Sequence, residues 1–287
     1  MTDFKTVLVP VTDGETAAAP LDSAFGLAAV FGAHVVGLHV RTDPTSAVPL
    51  VGEGMSGGMV EEMMTMAEKQ AAERADKARA AFDAACARHG VPLASAPTPG
   101  PTAQWEDVTG REEEAVAWRG RLSDLVIMGR PTDGLDAPSL LTLNAALMES
   151  GKPLLLAPPA APTSLGRRIA VAWNGSAEAG RAVAFALPLM KRAEAVTILT
   201  LTEDTRTISA PGGELAAFLS WHGVAAQVQV VHAGANAGTV LLEQCGAMGA
   251  DLLVMGAYTH SRLRQLILGG VTRHVLGHAQ LPCLLCH

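Results

Sequence analysis

Asp251-Leu252-Leu253-Val254-Met255-Gly256 and, further along, Gly269-Gly270-Val271-Thr272 are the stretch of this chain whose reading decides its fold. The first run is short, apolar and flanked by turn-formers, the pattern of a strand buried on both faces of a parallel sheet. Gly256 ends it. Nine residues separate Thr259 from Gly269, and an apolar helix then runs from Val271 to His278. Glycines let backbone amides approach an anion closely, and the free N–H groups and positive dipole end of a helix start hold one. Arg262 and Arg264 lie in the intervening loop, and Thr272 offers a hydroxyl in the helix's first turn. A lone Gly-Gly pair reads as packing in an ordinary crossover. The whole arrangement reads as a phosphate site, because crevices at strand C-termini are where open α/β sheets bind ligands.

The same pattern is written twice. Thr6-Val7-Leu8-Val9-Pro10-Val11 before Thr12-Asp13-Gly14 parallels Ile169-Ala170-Val171-Ala172-Trp173 before Asn174-Gly175-Ser176. Asp124-Leu125-Val126-Ile127-Met128-Gly129 parallels Asp251 to Gly256, and Gly151 to Leu156 parallels Gln280 to Leu285. Internal repetition of this kind sets the architecture. Val9 to Asp124 spans 115 positions and Val171 to Asp251 spans 80, so the first half carries 35 more. The excess lies in a Gly/Met-rich stretch, Gly52 to Gly58, and a long helix ending at Gly90, whose Met63, Met66, Phe82 and Cys86 follow helical spacing.

Strands are expected at 5–11, 34–40, 91–96, 124–129 and 153–157, with helices at 15–32, 59–89, 111–120 and 138–150. In the second half, strands fall at 168–173, 195–201, 225–232, 251–256 and 282–286, with helices at 176–190, 212–222, 236–248 and 270–279. Ser176 reads as a helix N-cap. Pro158 to Ser164, with three prolines and no periodicity, is the expected linker between domains 1–158 and 166–287. Strands alternating with helices imply parallel sheets with right-handed crossovers. The expected class is α/β: two tandem Rossmann-like domains, each an open five-stranded, mainly parallel sheet with flanking helices.

The 287 residues are 49% hydrophobic but only 4% aromatic, so the core is expected to be aliphatic. A formal net charge of −7 argues against sequence-independent nucleic-acid binding. The first residues lack a secretory n-region and h-region, and no run of about 18 apolar residues suggests a membrane span. The expectation is a cytoplasmic protein with neither membrane nor nucleic acid as partner. Cys86 and Cys245 fall on helical patterns and read as small core residues. Cys283-Leu284-Leu285-Cys286-His287 matches the c-type haem pattern in letters only, since on a strand residues three apart point to opposite faces. Zinc fails there on the same geometry.

The openings Val-Pro-Val and Val-Ala-Trp-Asn-Gly-Ser, the paired Asp-led strands and the stretch Gly256 to Thr272 together resemble the universal stress protein family, in its tandem two-domain form. The resemblance covers nearly the whole chain. It implies an adenine-nucleotide α-hydrolase-like fold and, in the second half, a site for ATP or another adenine nucleotide, with Mg²⁺ as a candidate companion. Nucleotide-binding members carry Gly, two residues, Gly, nine residues, Gly and Ser or Thr. Gly256 and Gly269 match. Thr259 replaces the middle glycine, where a Cβ makes positive φ costly by about 1 kcal/mol. Gly270 stands where a hydroxyl is usual, and Thr272 is the nearest substitute.

The resemblance further implies that the end of the first strand, Ala172-Trp173-Asn174, and of the third, Val231-His232, form the adenine pocket. Asn174 can hydrogen-bond a base or ribose without bringing charge. The first-half counterpart of Asn174 is Thr12 or Asp13. His260 and Arg262 could pair with phosphates, and solvated loop charge accounts for them equally well. Val271 belongs to the same helix start. His274 and His278, one turn apart, read as packing or surface residues rather than a metal pair.

In the first half, Arg130-Pro131-Thr132-Asp133-Gly134 and a helix start lacking Gly-Gly read as a degenerate, structural domain. No Gly-x-Ser-x-Gly elbow, Walker lysine or His-Glu-x-x-His motif is present, so the expected role is regulatory rather than catalytic, at most slow ATP hydrolysis. A nucleotide-independent scaffold for unidentified protein partners is the rival account. An adenylating enzyme ranks last. In the family the last strand pairs domains edge to edge. Here Pro282 to Cys286 could meet Pro153 to Ala157 within one molecule, and a homodimer is the alternative.

Overall fold

The computed structural model of the protein describes residues 3–12, 14, 16–42, 57–131, 139–202, 212–258 and 270–287. The chain divides into two compact units, Lys5–Ser150 and Gly151–His287, the latter with Met1–Phe4. The first contains β1 (Thr6–Pro10), α1 (Ala18–Phe31), β2 (His34–Arg41), α2 (Gly57–His89), β3 (Thr102–Thr109), α3 (Glu112–Gly120), β4 (Leu125–Met128) and α4 (Leu140–Glu149). Its strand order is β3-β2-β1-β4, all parallel.

The second unit contains β5 (Leu154–Leu156), β6 (Arg168–Ala172), α5 (Ala177–Met190), β7 (Ala195–Thr202), α6 (Gly212–Trp221) and β8 (Ala226–His232). A 3₁₀ turn (Gly234–Asn236), α7 (Ala237–Ala247), β9 (Leu252–Gly256), α8 (Gly270–His278) and β10 (Cys283–Cys286) complete it. Here the order is β5-β10-β9-β6-β7-β8, parallel except where β10 meets β5. The class is thus α/β with mostly parallel sheets and flanking helices. The antiparallel register Cys283↔Leu156, Leu284↔Leu155, Leu285↔Leu154 brings together the two last strands of the repeat. It also counts β5 with the second compact unit, although the proline-rich linker at 158–164 follows β5 in the chain.

The repeated aspartates have a shared structural job. The Asp124 carboxylate accepts hydrogen bonds from the backbone amides of Lys5 and Thr6 at 2.8 and 2.9 Å. Asp251 accepts from the amides of Arg167 and Arg168 at 3.1 and 2.8 Å. Each carboxylate fastens the start of its repeat's first strand, β1 or β6, to the start of the fourth, β4 or β9.

One expected strand is displaced. Residues 91–96 form only an isolated bridge, Leu93↔Ala103, and the third strand of the first half is β3, beyond the Pro97-Thr98-Pro99-Gly100-Pro101 turn. Pro92 cannot donate to a ladder, which limits the earlier segment to the edge. The methionine stripe also splits: Phe82 and Cys86 are buried, whereas Met63 and Met66 are exposed. Phe82 lies between Phe25 and Trp105, with ring centroids 6.1 and 5.2 Å away.

Gly37 on β2 makes room for that ring, since a Cβ there would sit 2.5 Å from Phe82 Cδ2. Gly37→Ala should therefore lower stability by about 1–3 kcal/mol in urea melts, and pairing it with Phe82→Leu should recover part of the loss. Asp124→Ala should cost about 1.5–3 kcal/mol, because charged hydrogen bonds to two amides are lost. Burial acts to raise the Asp22 carboxyl, but hydrogen bonds and charge from Arg88 and His89 outweigh it and hold its pKa below 3.8. That contribution is present above the ordinary pKa and lost as pH falls through the lowered one, so Asp22→Asn should flatten the acid limb of the stability profile.

Candidate functional site

In the second unit β7 and β8 extend the sheet on one side of β6 and β9 lies on the other. The strand order reverses between β6 and β9, and ligands in open α/β sheets bind at such a point, outside the strand C-termini. Ala172 pairs with Met255 across this boundary. Trp173 continues the ladder by donating its amide to the Leu199 carbonyl at 2.9 Å. Asn174 is exposed just beyond, and its Oδ1 accepts from the Ser176 amide at 3.1 Å. Gly175, at φ 75°, turns the chain into α5, whose N-cap Ser176 accepts from the Ala179 amide.

Gly256 is required by close approach rather than by backbone conformation. A Cβ on it would lie 2.5 Å from the Ala179 nitrogen and 2.8 Å from Glu178 atoms, so the end of β9 presses directly on the first turn of α5. Two residues on, Tyr258 takes φ 62°, the one non-glycine residue with positive φ among those described. Thr259, His260, Arg262 and Gly269, and Arg264 with them, lie outside the described residues.

The helix start on the far side of that gap is described. Gly270 is exposed, and a Cβ there would meet nothing within 4 Å, so packing does not require glycine at this position. Val271 is half-buried and Thr272 buried. At the third strand's end Val231 is half-buried and His232 exposed, in register with Thr202. The structure thus places Ala172 to Asn174 and Gly256 together at the reversal point, with Val231 and His232 two strands away at the end of β8.

A second group at this edge was not legible in the sequence. Arg181 donates to the His287 carbonyl oxygen at 2.8 Å and pairs with Glu178 at 2.9 Å. The His287 ring meets Tyr258 edge-on, with centroids 6.3 Å apart, and its Nδ1 lies 3.3 Å from the Ala257 carbonyl. Burial acts to raise the Glu178 carboxyl, but its own backbone hydrogen bond and Arg181, followed by Ser176 and His287, hold it below the carboxylate range. Burial pushes the Tyr258 hydroxyl up to about 12. The one sequence signal was the Glu178–Arg181 spacing on α5.

The other singled-out residues are structural. Cys283 and Cys286 are free and buried on β10. Burial pushes Cys286 up to about 12 against the opposing charge of Arg181, so it is a protonated core thiol. His274 packs on Gly238, where a Cβ would sit 2.6 Å from the His274 Cβ, and stacks on His278 with centroids 4.2 Å apart. His278 Nδ1–H donates to the His274 carbonyl. Among the described residues no group of three or more His, Cys, Asp or Glu is placed to hold a metal, and no helix is long and apolar enough to cross a membrane. Gly256→Ala should push α5 off β9 and lower stability by about 1–3 kcal/mol, read as a lower denaturation midpoint with an unchanged m-value.

Residues 166–287 match the model of the Universal stress protein family. No curated relative matches the sequence. Among solved structures, the chain is similar to a universal stress protein from Archaeoglobus fulgidus DSM 4304, at 16% identity over 98% of this chain and 97% of that one, with a TM-score of 0.69. It is also similar to a functionally unknown protein from Pseudomonas aeruginosa PAO1, at 14% identity over 99% and 92%, with a TM-score of 0.58. At these identities the likeness speaks for the fold. A universal stress protein in complex with cAMP overlaps 55% of this chain and 100% of its own at 16% identity and a TM-score of 0.31, too slight to bear on a ligand here. The likeness to that family in sequence is thus carried by residues 166–287, which its model matches.

Proposed function

We propose that the second half binds ATP or another adenine nucleotide at the β6/β9 reversal point, as a regulatory rather than catalytic module of the cytoplasm. The observation that carries the reading is the exposed start of α8, open around Gly270, on a universal-stress-protein domain whose strand order reverses between β6 and β9. The first-turn amides of α8 and the buried Thr272 would face the phosphates, with Thr259, His260, Arg262 and Gly269 in the loop before them. Ala172, Trp173 and Asn174, with Val231 and His232, would face the base and ribose. Any Mg²⁺ would ride on the phosphates.

A second reading, a nucleotide-independent scaffold, has its own observation. Val228 and Val230 on the edge strand β8 are 40% and 50% exposed, and Trp221 on α6 is 90% exposed. Apolar surface of this kind at a sheet edge marks an interaction site.

Thermal melts separate the two. On the nucleotide reading, ATP with Mg²⁺ at about 100 times its dissociation constant adds about 2.7 kcal/mol of stability. Gly270→Asp should remove that response while leaving the fold intact, because a carboxylate suits a helix start but repels phosphate. No midpoint change at millimolar ATP supports the scaffold, and an undiminished response in Gly270→Asp would put the ligand elsewhere.

A further inference from the structure

The first half has the same reversal point, between β1 and β4, and there the crevice is occupied by the protein itself. The ladders fix the correspondence between halves. Pro10 pairs with Leu38 and the Val11 amide donates to the Leu38 carbonyl, just as Ala172 pairs with Leu199 and the Trp173 amide donates to Leu199. Thr12, not Asp13, is therefore the counterpart of Asn174, and Gly129 is the counterpart of Gly256.

Thr12 does not face an open crevice. Its hydroxyl donates to Glu112 Oε1 at 2.8 Å. The other oxygen, Oε2, accepts from the hydroxyl of Thr142 at 2.9 Å. Thr142 is fully buried in the first turn of α4, with its amide donating to the N-cap Ser139. One carboxylate thus spans from the end of the first strand to the helix that follows the fourth, the two elements between which an external anion would have to sit. Glu112 is also the first residue of α3, so its charge lies at a second helix start, where it is favoured.

Among the described residues the second half shows no such bridge, for a reason visible in the chain. Gly110 and Ala233 are equivalent, each donating its amide to the strand before it, at Arg41 and Thr202. After Gly110 the helix begins almost at once with Glu112. After Ala233 a 3₁₀ turn intervenes, and α7 then opens with Ala237 and Gly238, which bring no carboxylate. The α8 counterpart also carries a buried threonine as its third residue, Thr272, behind an exposed Gly270.

We infer that Glu112 is a built-in ligand: its carboxylate fills the strand-end crevice of the first half and closes that half to external anions such as phosphate. The inference does not depend on the nucleotide reading of the second half, since it is tested by differences between variants altered only at position 112.

The experiment is chemical rescue in the full chain. Glu112→Ala should lower the melting midpoint by several degrees, and tens of millimolar formate should restore at least half of the loss relative to chloride at matched ionic strength. Wild type should gain less from formate than Glu112→Ala does. Calorimetric titration with inorganic phosphate should show one binding event more per chain in Glu112→Ala than in wild type. Glu112→Gln, which keeps the volume and can still link both hydroxyls, should fold and take no extra phosphate. If Glu112→Ala is unfolded in chloride, refolding in formate should recover it. A folded Glu112→Ala that responds to formate and phosphate as wild type does would overturn the inference. So would failure of formate to refold an unfolded one, or phosphate uptake by Glu112→Gln equal to that of Glu112→Ala.

Discussion

The structure depends on where each fourth strand goes. In both halves it pairs on the opposite side of the first strand from the second, and a carboxylate fastens that placement. Asp124 takes the amides that begin β1, and Asp251 those that begin β6. With first and fourth strands locked at their starts, their far ends are neighbours at the reversal of strand order. A crevice at the reversal point is the geometric consequence. It arises from backbone order alone, which is why both halves have one whatever their side chains do.

Side chains decide what each crevice accepts. In the first half Glu112 satisfies Thr12 and Thr142 from within the fold. In the second half the corresponding positions are Asn174, turned back on the Ser176 amide, and a helix start where a Cβ on Gly270 would meet nothing within 4 Å. The first repeat therefore carries its anion covalently, as the side chain of Glu112. The close contact of Gly256 with Ala179 and Glu178 and the tie from Arg181 to His287 make the second crevice's rim firm up to Tyr258. Exposed valines on β8 mark a separate surface of the same unit.

Nearly all of the strand and helix order could be read from the chain because the buried strands are short apolar runs, the fourth and last of each half introduced by Asp and Pro, and the series occurs twice. The miss at residues 91–96 has a local cause. Val91 and Leu93 follow a helix-ending glycine and look like a strand, whereas Thr102 to Thr109 contains Glu106 and Asp107 and is only half covered. The site was legible only where it is made of backbone. Gly256, Gly270 and the strand end at Asn174 stand out by residue type. Glu112 does not, because Thr12 and Thr142 lie 100 and 30 residues away in sequence and only the fold brings them together. The role of His287 was hidden in the same way, behind Arg181, 106 residues earlier. Tyr258 takes the left-handed conformation because strain follows the path of the chain, which residue type alone does not reveal.

The asymmetry between two crevices of one design is the centre of this account, and the number of nucleotides held per chain tests it most directly. Equilibrium dialysis with labelled ATP at saturating concentration should give one nucleotide per polypeptide, reduced to none by Gly270→Asp. Saturation at two per chain in the wild-type protein, or none at all, would contradict it.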